Sequence, residues 1–177
     1  MMANDWQSKY FYVGYFSEGL ARVNVGGKYV QSGEDEDLGS SVGLVEGGQW
    51  GFVDETGKEV IPPKYDWVDH FSEGLAAVRL NGLSGFFNEQ GKEVIPPKYD
   101  MVIDFSEHLA RFKRNRKEGF VDETGKEVIP PKYDHTGVFS KVLAAGELYV
   151  REGFVDKTGN EYWDMTEDQA REQMKKR

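Results

Sequence analysis

The sequence predicts an all-β fold made of tandem 34-residue antiparallel hairpin units. Three observations carry this. A long motif recurs at fixed spacing, every full copy contains turn-forming Gly and Pro-Pro, and the runs between them are β-branched or aromatic without a helical stripe.

Residues 51–66, GFVDETGKEVIPPKYD, recur letter for letter at 119–134, and 85–100 read GFFNEQGKEVIPPKYD. The copies start at Gly51, Gly85, Gly119 and Gly153, each 34 residues apart, and the fourth decays after Gly159. A second element, FSEGLAAV at 71–78, returns as FSEHLA at 105–110 and FSKVLA at 139–144, and appears early as FSEGLARV at 16–23. Phe71 lies 14 positions before Gly85, whereas Phe16 lies 35 before Gly51, so the first unit carries a 21-residue insertion. The chain divides into units at about 6–60 (insertion 29–49), 61–94, 95–128 and 129–163 of one domain spanning 1–177.

Within a unit, GFVD and KEVI flank ETG, a short hairpin in which Gly57 is free to take positive φ. Pro62-Pro63 is expected to end pairing, because neither residue can donate to a ladder. Residues 75–80 form another strand, and Asn81-Gly82 is a two-residue hairpin signal. Each unit thus reads as about three short strands and a loop, in keeping with mean strand lengths of about five or six residues. The units build an open, twisted array, with a closed four-unit ring as the alternative. Sliding the first unit by its offset places Trp6 in the column of Ile61, Ile95 and Ile129, and Trp163 falls there at the other end. Repeat arrays need modified end units, and bulky Trp residues suit that cover. Thr166 with Gln169 forms a capping box, so a short C-terminal helix is expected over 166–176.

Composition narrows function. A net charge of -9 opposes nucleic-acid binding, which needs a positive surface, and suits a basic protein partner. No cysteine is present, excluding disulfides and thiolate chemistry and fitting a reducing cytoplasm. The N-terminus shows no signal-peptide pattern, and no apolar stretch is long enough to span a bilayer. The expected location is cytoplasmic, away from membranes.

Catalytic patterns are missing. His70, His108 and His135 stand at no recognised metal spacing, and neither a phosphate loop nor a Gly-x-Ser-x-Gly nucleophile motif occurs. The sequence therefore predicts a non-enzyme with no metal and no cofactor. The recurring column Asp54, Asn88, Asp122 and Asp156, and the column Asp66, Asp100 and Asp134, read as turn residues that accept backbone N–H bonds rather than as ligands.

Binding residues are sought where the copies differ, because a shared packing role cannot constrain those positions. Trp67, His70 and Met101 follow the Tyr-Asp pair and are candidate anchors for a protein partner. Residues 111–117, RFKRNRK, form a local basic strand and tip that offers Arg114 and Arg116. The insertion carries Glu34, Asp35, Glu36 and Asp37, either a solvated loop or an acidic finger for the basic site of a target.

The order Trp50-Gly51-Phe52-Val53-Asp54, then Gly-Lys, Ile-Pro-Pro and Tyr-Asp, resembles the bacterial WG-repeat family over nearly the whole chain. The signature Trp stands only at Trp50, with Ser84, Glu118 and Glu152 in its place elsewhere. The resemblance implies a binding or scaffolding repeat without shared catalytic residues. Small proteins of this kind look similar to immunity proteins that neutralise bacterial toxins, so a basic toxin domain is one expected partner. A glycan-binding or small-ligand-binding repeat, or a structural spacer, are the alternatives.

Overall fold

The computed structural model describes residues 5–30, 44–140, 143–149 and 151–176. The acidic run at 34–37 lies outside them. Four four-stranded antiparallel sheets follow one another along the chain. The first contains β1 (Tyr12–Ser17) and β2 (Leu20–Val25), then, beyond a ribbon of β3 (Lys28–Val30) and β4 (Leu44–Glu46), β5 (Gln49–Asp54) and β6 (Glu59–Tyr65). The second runs through β7 (Trp67–Ser72), β8 (Leu75–Leu80), β9 (Leu83–Asn88) and β10 (Glu93–Tyr99). The third comprises β11 (Met101–Ser106), β12 (Leu109–Arg114), β13 (Lys117–Asp122) and β14 (Glu127–Tyr133). The fourth has β15 (His135–Thr136), β16 (Leu143–Leu148), β17 (Arg151–Asp156) and β18 (Glu161–Trp163), and α1 (Glu167–Met174) follows. Cut by sheet rather than by motif, the repeat begins at Trp67, Met101 and His135.

Where three strands per unit are expected, each sheet has four. The added strand is the first, Trp67–Ser72 and its equivalents, and the KEVI strand extends because the prolines do not end pairing. The strand runs through Pro62-Pro63 in a bulge: Phe52 pairs with Ile61, and pairing resumes between Trp50 and Tyr65. Three residues thus face the single Gly51, and the register shift absorbs the missing proline donors. The same crossing explains the glycine of the Trp-Gly signature. A Cβ on Gly51, Gly85 or Gly119 would overlap the carbonyl of Ile61, Ile95 or Ile129 and the following Pro-Pro peptide.

The core lies between sheets rather than inside them. Leu20, Trp50, Phe52, Ile61 and Tyr65 of the first sheet meet Val68, Phe71, Ala76, Val78 and Phe87 of the second. Corresponding clusters join the second sheet to the third and the third to the fourth. Among the described residues no core cluster joins the first sheet to the fourth, so the arrangement is the open array and not the ring. A buried Phe or Ile here contributes about 1.5–3 kcal/mol.

Tyrosine–glutamate hydrogen bonds cross the same interfaces. Tyr99 donates to Glu127 at 3.2 Å and Tyr133 to Glu161 at 2.8 Å. Tyr10, in the 3-10 helix Asp5–Lys9 and its exit, donates to Glu59 at 3.0 Å. Trp6 of that helix lies over Gly57, as Ile95 does over Gly125. The opening segment therefore occupies the place of a preceding unit's last strand, as the alignment of Trp6 with Ile61 predicts. Among the described residues the buried Tyr65 hydroxyl has no such carboxylate partner.

The fourth sheet departs from the column alignment. In the first three sheets Val60, Val94 and Val128 are each an extra residue between two paired positions. The fourth sheet lacks this one-residue bulge, so Tyr162, not Trp163, pairs opposite Phe154 and is fully buried. Trp163 moves one step on, opposite Gly153, and is half-buried with its ring 6.1 Å from Tyr133. Helix α1 forms with the expected capping box, in which Gln169 N donates to Thr166 Oγ1 at 3.3 Å and Thr166 N to Gln169 Oε1 at 2.9 Å. Its Ala170 is buried against Leu143 and Tyr162. No helix among the described residues is long and apolar enough to cross a membrane.

Candidate functional site

Directly opposed residues of an antiparallel sheet project on the same face. One such row in each sheet contains the positions that differ most between units. It reads Tyr12, Asn24, Trp50, Tyr65 in the first sheet and Trp67, Arg79, Ser84, Tyr99 in the second. In the third it reads Met101, Lys113, Glu118, Tyr133, and in the fourth His135, Glu147, Glu152. In the first three sheets the row faces the next sheet. Trp50 is buried there against Tyr12, rings 5.7 Å apart, with the Arg22 guanidinium 5.9 Å above it.

Without that Trp, the third sheet uses a buried carboxylate. Glu118 accepts bonds from Thr136 N at 2.7 Å and Thr136 Oγ1 at 3.1 Å in the next sheet, with Arg111 at 3.5 Å and Lys113 at 3.9 Å. Arg111 also donates to the Thr136 carbonyl, as Arg22 does to the Val68 carbonyl at 3.3 Å one interface earlier.

In the fourth sheet the row opens into a groove of about 640 Å³. Thr136 stands where other sheets have Val68 and Val102, and Gly146 where they have Val78 and Phe112. Both face back to the third sheet, where Thr136 Oγ1 donates to Glu118 and a Cβ on Gly146 would meet Tyr133. Helix α1 covers Leu143, Phe154 and Tyr162 but leaves Ala145, Glu147 and Glu152 exposed. His135 lines one side, and Asp164 and Met165 the other. A second concavity continues along α1 past Asp168 and Glu172. Glu147 and Glu152 are direct cross-strand partners, a like-charged and hence unfavourable pair. The same two positions in the third sheet hold Lys113 and Glu118. Asp164 is paired with Arg151 at 2.8 Å. Such a surface favours a cationic ligand with an apolar portion to lie on Met165 and Phe154.

The residues singled out in the sequence lie elsewhere. Trp67 and Met101 are 42% and 39% exposed at the interface rims, and their column supplies His135 to the groove. His70 is exposed beside Arg22, where burial and then the Arg22 guanidinium hold its imidazole below the usual range. Arg114 is engaged internally by a two-pronged pair with Glu127, at 2.6 and 2.9 Å. Arg116 is exposed at a hairpin tip with φ 65°. The basic run is thus largely matched by the chain's own carboxylates, Lys117 with Asp134 at 2.5 Å included.

The Asp column behaves as turn chemistry dictates. Asp54 Oδ1 accepts bonds from Thr56 N, Thr56 Oγ1 and Lys58 N, and Asp122 repeats this with Thr124 and Lys126. Asp156 adds Asn160 and Tyr162 as donors. Residues of the second column, Asp100 and Asp134, accept from the hairpin-tip amides of Asn115 and Tyr149.

Sequence spacing also missed a cluster assembled across two sheets. Glu73, His108 and Glu123 bring one ligand atom each to within 4.8 Å of one another. Glu147 was legible in principle, since it stands where the third sheet has Lys113, opposite a Glu that both sheets keep.

A family model described as WG containing repeat matches residues 7–29, 50–83, 85–117 and 119–144. No characterised protein in a curated collection matches the chain.

Proposed function

We propose that this chain, which belongs to the WG containing repeat family, is a non-catalytic module that binds another protein through the acidic groove of its fourth sheet. The observation that carries the reading is the Glu147–Glu152 pair, set on a face that the first three sheets pack against the next sheet and the fourth leaves open. A partner presenting Lys or Arg beside apolar side chains relieves the like-charge repulsion and covers the face. The net charge of -9 steers such a partner at long range. The non-catalytic part of the reading rests on the recurring aspartates, whose oxygens are taken up by turn amides and hydroxyls. A basic toxin domain, held in the cytoplasm as an immunity protein holds its target, is the partner class that this charge suits.

The test is affinity capture from host lysate with three baits: the intact chain, Glu147→Arg/Glu152→Arg, and a chain lacking residues 33–39. One stoichiometric basic protein retained by the intact chain and lost with the double substitution supports the groove. Loss only with the deletion moves the site to the acidic insertion. Equal recovery by all three baits overturns both. Capture of nothing, with stabilisation by a sugar or metabolite, favours a small-ligand repeat.

A further inference from the structure

The two-residue turn joining the first two strands of each of the first three sheets is left-handed at both positions. It reads Glu18-Gly19, Glu73-Gly74 and Glu107-His108 in the first three sheets, with φ of 51° and 78°, 53° and 76°, and 52° and 70°. Its Glu reaches the turn of the next sheet: Glu18 accepts from Gly74 N at 3.2 Å, and Glu73 from Glu107 N at 3.1 Å and His108 N at 3.0 Å. A third column, Glu89, Glu123 and Lys157, comes from the turn two strands later.

At the interface of the third and fourth sheets this place already holds a cation. Lys157 Nζ lies 2.9 Å from Glu107 Oε2 and 2.9 Å from the Glu107 carbonyl. One interface earlier the Lys is replaced by Glu123, so two carboxylates, Glu73 and Glu123, face the same point. The glycine of the turn is replaced there by His108, in a backbone conformation that side chains rarely adopt. Its Nδ1 lies 2.6 Å from Glu123 Oε1. We propose that Glu73, His108 and Glu123 bind a divalent transition-metal ion such as Zn²⁺, which ties the second sheet to the third as Lys157 ties the third to the fourth. One imidazole nitrogen and two carboxylates form a mixed donor set suited to Zn²⁺, with water completing the shell. The substitution of His for Gly supplies the nitrogen donor that the equivalent place at Gly74 lacks.

Protons compete for the site. The hydrogen bond to Glu123, then the charges of Glu123 and Glu73, raise the His108 imidazole above its usual range, with Lys157 opposing. Metal binding must release that proton and therefore strengthens as pH rises.

The experiment is calorimetric titration of the full chain with ZnCl₂ at pH 7.5 and pH 5.5, beside two variants built from the protein's own repeats. His108→Gly copies the second sheet, and Glu123→Lys copies Lys157 of the fourth, so both are expected to fold. The wild type binds one equivalent at pH 7.5 and far more weakly at pH 5.5. Each variant loses at least about tenfold in affinity, the scale on which shell changes act at metal sites. Undiminished binding by either variant, which would assign the ion to His70 or His135, overturns the proposal. So does a wild type that takes up no Zn²⁺.

Discussion

Substituting Phe for Tyr65, Tyr99 and Tyr133 one at a time removes the same hydroxyl from three fully buried positions in equivalent strands. The structure predicts different outcomes. Tyr99 and Tyr133 lose a hydrogen bond to a carboxylate across a sheet interface. Such bonds contribute about 1.5–3 kcal/mol. The lower figure applies, because Glu127 keeps Arg114 and Glu161 keeps Lys132 at 2.7 Å. At Tyr65 no carboxylate partner lies across the interface among the described residues, only the Lys64 ammonium beside the hydroxyl. The substitution there deletes a poorly satisfied buried group and is neutral or stabilising by up to about 1 kcal/mol. For a chain of this size 1 kcal/mol corresponds to about 2–4 °C in Tm. Tyr99→Phe and Tyr133→Phe should therefore melt several degrees below the wild type and Tyr65→Phe at or above it. Thermal and urea unfolding are both needed, because a repeat array need not unfold in one step. Equal losses in all three variants would refute the claim that these bonds, rather than ring packing, distinguish the interfaces.

Three further outcomes follow from local geometry. Gly85→Ala forces a Cβ into the Ile95 carbonyl and should cost about 1–3 kcal/mol or more by urea denaturation, whereas Gly146→Ala, whose nearest neighbour is 3.7 Å away, should be tolerated. Burial acts to raise the Asp156 carboxyl, but donors Thr158, Asn160 and Tyr162 outweigh it and hold it below the usual range. Its contribution is present above the unfolded value of about 3.9 and lost as pH falls toward the lower folded value; Asp156→Asn should flatten this acid limb of the stability profile. Thr166→Ala removes the helix cap and should cost about 1 kcal/mol, read as loosened protection of Ala170 in hydrogen exchange.

Most of the fold was legible because the repeat is nearly exact. The spacing of Gly51, Gly85, Gly119 and Gly153, the turn Asp residues and the Thr166 cap each act through neighbours in sequence, which one chain displays. What was not legible depends on crossings between strands. The run Pro62-Pro63 reads locally as a stop, yet it becomes a bulge once Gly51 lies opposite with no Cβ to obstruct it. Tyr162 takes the place in the Ile column expected for the covering Trp163, because the one-residue bulge made by Val60 and its equivalents is missing and the register shifts by one residue, which no column alignment reveals. The candidate site was less legible still. Trp67 and Met101 mark the column that supplies His135 to the groove, but the groove depends on the limited reach of α1, which leaves Ala145, Glu147 and Glu152 exposed. The basic run 111–117 looked available because its partners Glu118, Glu127 and Asp134 come from other strands.

The central claim is that a protein partner covers the open face of the fourth sheet. Hydrogen-exchange footprinting of the chain with its captured partner tests it most directly. Slowed exchange across β16 and β17, with β8 and β9 unchanged, is the predicted result. Protection confined to the earlier sheets or to residues 31–43, with β16 and β17 exchanging as in the free chain, would contradict it.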